Sequence, residues 1–198
     1  MNNYHFAPWD SFPKFLTYRE TINPISVIAD FFSASSYKEH KRHLKEWRHF
    51  VLSEECYHDK KFGPGHLLFT YKLHVTLLEA LYLIRLNYEA AYPKPAIPDE
   101  LELLEETKNW IYYPKNLSEK ELQNPYKVIA KVFKPVSLPE YREHLYQWLC
   151  EALTIKRMPE RIDAADILLV YDSLLKLYSA AWIILQRSRQ ISMEIIQG

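Results

Sequence analysis

A chain of 198 residues with 48% hydrophobic content can bury a core, as one domain or as two small units packed together, and is not a disordered sequence. Three glycines are too few for the turn-dense all-β architectures, so the composition points to an all-α protein. Lys+Arg and Asp+Glu both number 25, so no global field draws the chain to nucleic acid or an anionic membrane, and a charged partner must be met by a local patch.

The opening MNNYHFAPWDSF lacks the charged and apolar regions of a signal peptide, and no apolar run reaches the roughly 18 residues of a membrane span. With two cysteines, Cys56 and Cys150, better suited to buried thiols than to a disulfide framework, a cytoplasmic protein is expected.

In chain order, a W-x-x-x-P-K segment at Trp9 is expected to dock on the body through Trp9 and Pro13. Asn23-Pro24 then reads as a helix start, with Asn as N-cap and Pro at the first helical position, predicting a short helix over 24–33. Ser36 and Glu39 have capping-box spacing and open a second helix. Its apolar stripe is Tyr37, His40, Leu44, Trp47 and Val51, so His40 stands in an aromatic's place. After the loop Phe62–Gly65, a third helix over 66–90 is apolar on more than one face, as a helix buried by several neighbours would be. Pro93, Pro95 and Pro98 then favour an extended crossing, and Asp99 with Glu102 can cap a short acidic helix.

Beyond residue 109 the pattern returns. Shifted by 101 positions, Trp9–Leu52 aligns without a gap on Trp110–Leu153 with 17 identities in 44, where chance gives about 3. Asn124-Pro125 and the Ser137/Glu140 capping box recur, opening helices at 125–133 and from Ser137, and the second stripe is Leu138, Tyr141, Leu145, Trp148 and Ala152. At an offset of 100, Leu67–Ile84 aligns on Ile167–Ile184, placing a third helix over 164–190 after a loop at Lys156–Asp163. The expected organisation is a first unit over 1–92, a Pro-rich linker with a short acidic helix over 93–109, and a second unit over 110–198. The duplicated three-helix units are expected to form a pseudo-two-fold bundle of six or seven helices, the third helices pairing across the axis.

Two groups of residues are candidates for function. Lys38, Lys41, Arg42, Lys45, Arg48 and His49 form the most basic segment of the chain and could grip phosphates. The aligned segment of the second half keeps the apolar stripe and loses the charge, and a solvated face, or a partner for the acidic stretch Asp99–Glu106, is the simpler reading. The second group is Glu39, His43 and Trp47 with Glu140, His144 and Trp148, in which two Glu/His pairs one helical turn apart could meet as a symmetric cluster. Capping already accounts for both glutamates, and each His can pack on the Trp four residues on, so no metal or cofactor is assigned. No phosphate loop, dinucleotide fingerprint, nucleophile elbow or C-x-x-C occurs.

The reading favours a non-enzymatic helical module that binds a protein or a second copy of itself, presenting some of its 15 tyrosines at the surface, with no membrane association. A nucleic-acid-binding or RNA-cleaving protein using residues 38–49, and a metal-binding helical enzyme, are the alternatives.

Overall fold

The computed structural model describes residues 6–53, 55–58, 63–91, 94–154 and 162–197. Its regular elements are all helical. A 3₁₀ turn at Pro8–Ser11 precedes α1 (Tyr18–Ile22), α2 (Pro24–Ala34), α3 (Tyr37–Leu52), α4 (Pro64–Ala90), α5 (Glu100–Asn109), α6 (Glu119–Gln123), α7 (Pro125–Val132), α8 (Leu138–Leu153) and α9 (Ala164–Gln197). No strand occurs among the described residues, in keeping with the all-α expectation.

Local chemistry sets most of the helix starts. Glu39 Oε2 accepts the Ser36 N–H at 2.9 Å while Ser36 Oγ accepts the Glu39 N–H at 3.3 Å, and Ser137 with Glu140 repeats the exchange at 2.6 and 3.4 Å. The described residues hold nine α-helices where six or seven were expected, because α1 and α6 each form a single turn too short for periodicity to reveal. Their signal is the capping box: Glu20 takes the Thr17 N–H at 2.5 Å and Glu121 the Ser118 N–H at 3.0 Å.

The two asparagines differ. Asn124 Oδ1 accepts the Lys127 N–H at 3.1 Å, its amide oriented by a 3.0 Å bond from Nδ2 to Tyr88 Oη, whereas the exposed Asn23 caps nothing with its side chain. At α4 the helix starts two residues earlier than expected, with Pro64 at its first position. Gly63 ahead of it sits at φ +60°, a conformation that glycine adopts without penalty. Of the loop expected at 156–163, only Ile162 and Asp163 lie within the described residues.

The long helices, expected to pair, touch at His74 and Tyr178 but have their main contacts elsewhere. α4 packs chiefly on α2, α8 and α7, α9 chiefly on α7, α3 and α2, and the second helices α3 and α8 meet each other. Two indoles explain why. Trp47 and Trp148 are 1% and 0% exposed, meet edge to face at 5.6 Å and 88°, and are joined by a 3.2 Å bond from Trp47 Nε1–H to the Trp148 carbonyl. With that pair between α3 and α8, each long helix packs mainly on helices of both halves, and it meets its counterpart through His74 and Tyr178.

α4 and α9 each contain an 18-residue window long and apolar enough to cross a membrane, with mean hydropathy 1.4 and 1.5, which the reading of single apolar runs had missed. More than half of each window, 56% and 61%, is buried inside the bundle, so core packing accounts for the same composition.

Truncating Trp148 to Ala removes one of the two indoles of this contact, and a loss of about 3–5 kcal/mol is expected from urea unfolding. A loss below ~1 kcal/mol would show that the centre of the bundle lies elsewhere.

Candidate functional site

The best-built polar site lies at residues that carry no motif. Glu79 stands in the middle of α4 with no exposed surface. A carboxylate there needs donors on both oxygens. Oε1 accepts the Lys14 N–H at 2.8 Å and Arg142 Nη2 at 2.5 Å, while Oε2 accepts the N–H groups of Phe15 at 2.8 Å and Leu16 at 3.2 Å. Arg142 reaches in from α8 and also bonds the same segment, Nη1 to the Asp10 carbonyl at 2.6 Å and Nη2 to that of Phe12 at 2.7 Å, while its buried Nε has no hydrogen-bond partner. One ion pair therefore grips the main chain of residues 10–16 by three N–H groups and two carbonyls. A smaller clamp of the same design holds the linker helix: Arg187 bonds Glu106 with Nε at 2.6 Å and Nη2 at 3.0 Å, and the carbonyls of Leu122 and Gln123 at 2.9 and 3.2 Å.

A second polar group lies deeper. His74 Nδ1–H donates to the Thr70 carbonyl at 2.6 Å, which leaves Nε2 to accept from the Tyr178 hydroxyl. Phe31 stacks on His40 at 3.8 Å and meets His74 edge-on at 5.8 Å, and the His40 Nε2–H donates to the Phe31 carbonyl at 2.7 Å. Burial lowers both imidazoles to about 4 and drives the Tyr178 phenol well above its usual range, so the group is neutral at pH 7. A buried His–Tyr pair without charge is a core network rather than a proton relay.

The candidates read from the sequence are distributed differently. Lys38, Arg42, Lys45 and His49 are exposed along one face of α3 at spacings of four, three and four, with His49 Nε2 3.8 Å from the Glu55 carboxylate. Lys41 and Arg48 are half-buried over the rings of Tyr37 and Tyr171, at 5.8 and 4.0 Å. Of the Glu/His/Trp cluster, the structure brings Trp47 and Trp148 together. Glu39 and Glu140 face their own helix starts, His43 meets His66 at 5.1 Å rather than Trp47, and His144 Nδ1 is buried without a hydrogen-bond partner. Among the described residues no three of His, Cys, Asp or Glu gather closely enough to hold a metal.

No protein-family model, curated protein or solved structure matches the chain. The site therefore stands on its own geometry. Glu79, His74 and Tyr178 escape a sequence reading because each lies inside an apolar helix, and Arg142 because it stands among the polar residues Glu140, Glu143 and His144; the lone carboxylate in TLLEALYLI is the available signal.

Replacing Glu79 by Gln leaves Arg142 without its counter-charge and should cost about 3–5 kcal/mol. Trypsin should also cut faster after Lys14, as the arm loosens; unchanged stability and cleavage would remove the clamp. His40 and His74 take up protons near pH 6.5 when unfolded and only near 4 when folded. Stability should then be level above about pH 6.5 and fall toward pH 4, by ~3 kcal/mol per histidine. His40→Tyr should remove about half of that slope in urea midpoints taken from pH 7.5 to 4.5, and a flat wild-type profile would refute the assignment.

Proposed function

We propose that the chain is a non-enzymatic helical module, built from two copies of one three-helix unit about a pseudo-two-fold axis, that binds a protein partner or a second copy of itself in the cytoplasm. Parallel contacts at aligned positions support the duplication. The His40–Phe31 bond has its counterpart 101 residues on, where the Tyr141 hydroxyl donates to the Val132 carbonyl at 3.3 Å. The aligned tryptophans Trp47 and Trp148 touch, and the segments 10–16 and 111–117 dock near aligned positions of the long helices, the first on Glu79 and the second, through Asn116 Oδ1, on Ser179 Oγ at 2.6 Å. Cys56 and Cys150 are both free thiols, compatible with a reducing compartment.

The binding role rests on the amino-terminal arm. Trp9, Phe12, Phe15, Tyr18 and Ile22 are 68, 67, 43, 80 and 65% exposed. The clamp holds the arm by its main chain and leaves most of these side chains outside, with Phe15 meeting a body ring, Tyr71, at 6.4 Å, so Trp9 does not dock on the body as its sequence context suggested. At the aligned positions stand Trp110 and Tyr113, both half-buried, and the polar Asn116, Glu119 and Gln123. Phe15, Tyr18 and Ile22 have polar residues at their aligned positions, so the scaffold does not demand apolar side chains there, and exposed apolar surface of this kind marks interaction sites. The tyrosines contribute less than expected: among the described ones only Tyr18 and Tyr146 are strongly exposed.

The test is a Phe12→Ser, Tyr18→Ser, Ile22→Ser variant compared with the wild type in quantitative affinity capture, with a labelled second copy included. Its folding stability should stay within ~1 kcal/mol of the wild type, as for surface changes, while capture of a partner protein, or of the second copy at about 500 mM salt, falls at least about tenfold. Equal capture by both would end the proposal.

A further inference from the structure

The charge of this neutral chain is segregated. α3 carries Lys38, Lys41, Arg42, Lys45 and Arg48 against Glu39 and Glu46, and α5 carries Glu100, Glu102, Glu105 and Glu106 against Lys108. The obvious partner for one is the other, yet α5 is not among the principal neighbours of α3, and its ion pair runs from Glu106 to Arg187 of α9. Among the described residues no ion pair engages Lys38, Arg42, Lys45, Glu100 or Glu105.

We infer that the protein self-associates through a charge-matched contact in which the Lys38–Arg42–Lys45 stripe of one copy takes the outer face of α5 of another. The inference rests on the reading of the chain as an interaction module, but on residues outside the arm. Three observations favour a second copy as the occupant. The basic stripe is not a requirement of the scaffold, because the aligned positions of α8 are Pro139, Glu143 and Tyr146 on a helix with the same buried stripe. α5 is apolar on two sides: Leu103 faces inward at 8% exposure, while Leu101 and Leu104 face outward at 71 and 50% beside Glu100 and Glu105. Lysine and arginine stems can cover such leucines while their ends reach the carboxylates, so the two faces are complementary in apolar area as well as in charge. Finally, zero net charge leaves no long-range repulsion between copies. A nucleic acid would match the stripe alone and would be repelled by α5.

Sedimentation of the intact chain at about 50 mM and 500 mM salt, over a concentration series, tests the contact. Association should weaken at least about tenfold at the higher salt, because exposed charge pairs are screened. Arg42→Glu with Lys45→Glu, and separately Glu100→Lys with Glu105→Lys, should each be monomeric with near-wild-type melting temperatures, and mixing the two variants should restore a complex of both. The Phe12, Tyr18 and Ile22 variant should keep this salt-sensitive association. A wild-type monomer at low salt, association indifferent to salt, failure of the mixture to rescue, or binding of a labelled oligonucleotide through these lysines without self-association would each overturn the inference. Association lost in the arm variant and retained in both charge variants would overturn it too, leaving the arm as the interaction surface.

Discussion

Halfway along α4, in its most apolar stretch, a carboxylate sits with no access to water, and the rest of the molecule is arranged around meeting its needs. Glu79 is in the first half of the chain, Arg142 in the second, and the segment they grip lies at the amino terminus. Neither charge could stay buried without the other, since an ion pair in a core holds only when both partners keep their hydrogen bonds. The pair joins three distant parts of the sequence, and because it binds main-chain atoms it determines where the arm lies without constraining which side chains the arm displays. That freedom is what lets Trp9, Phe12 and Tyr18 face outward.

The comparison of aligned positions separates scaffold from surface. His40 and Tyr141 use different chemistry to bond the carbonyl nine residues earlier, which shows that the position needs a buried ring with a donor and not a histidine. The same comparison at the exposed positions has the opposite outcome: arginine and lysine on α3 face glutamate and tyrosine on α8, and phenylalanine and isoleucine on the arm face asparagine and glutamine. Core positions are held by packing, where one wrong volume is costly, whereas exposed positions tolerate almost any residue and so are free to differ. Surface features present in one half alone are therefore the places where a binding role can reside.

Helix starts were the most legible part of the sequence, because a capping box is a contact between residues three apart and needs no tertiary partner. Ser36/Glu39, Ser137/Glu140, Asp99/Glu102 and Thr17/Glu20 all carry that signal. Asn23 and Asn124 show the limit of the method, since the two are preceded and followed by similar residues and only Asn124 caps, its amide being oriented by Tyr88 from another helix. The apolar stripes of α3 and α8 were equally legible, being periodic. What those stripes would touch was not, and the long helices, expected to pair, pack mainly on other helices and meet each other through His74 and Tyr178.

By itself the sequence determined the all-helical class, the start of most helices, the buried stripes of α3 and α8 and the internal similarity of its two halves, all of which depend on contacts within a few residues or on composition. The tertiary structure alone decided that Trp47 meets Trp148, that Glu79 pairs with Arg142 over the arm, that His74 pairs with Tyr178, and that Glu106 of α5 pairs with Arg187 of α9 rather than with a cation of α3. Such pairings join residues tens of positions apart, and nothing in local propensity encodes which of many possible burials satisfies the most polar groups at once. The packing of the whole chain makes that choice.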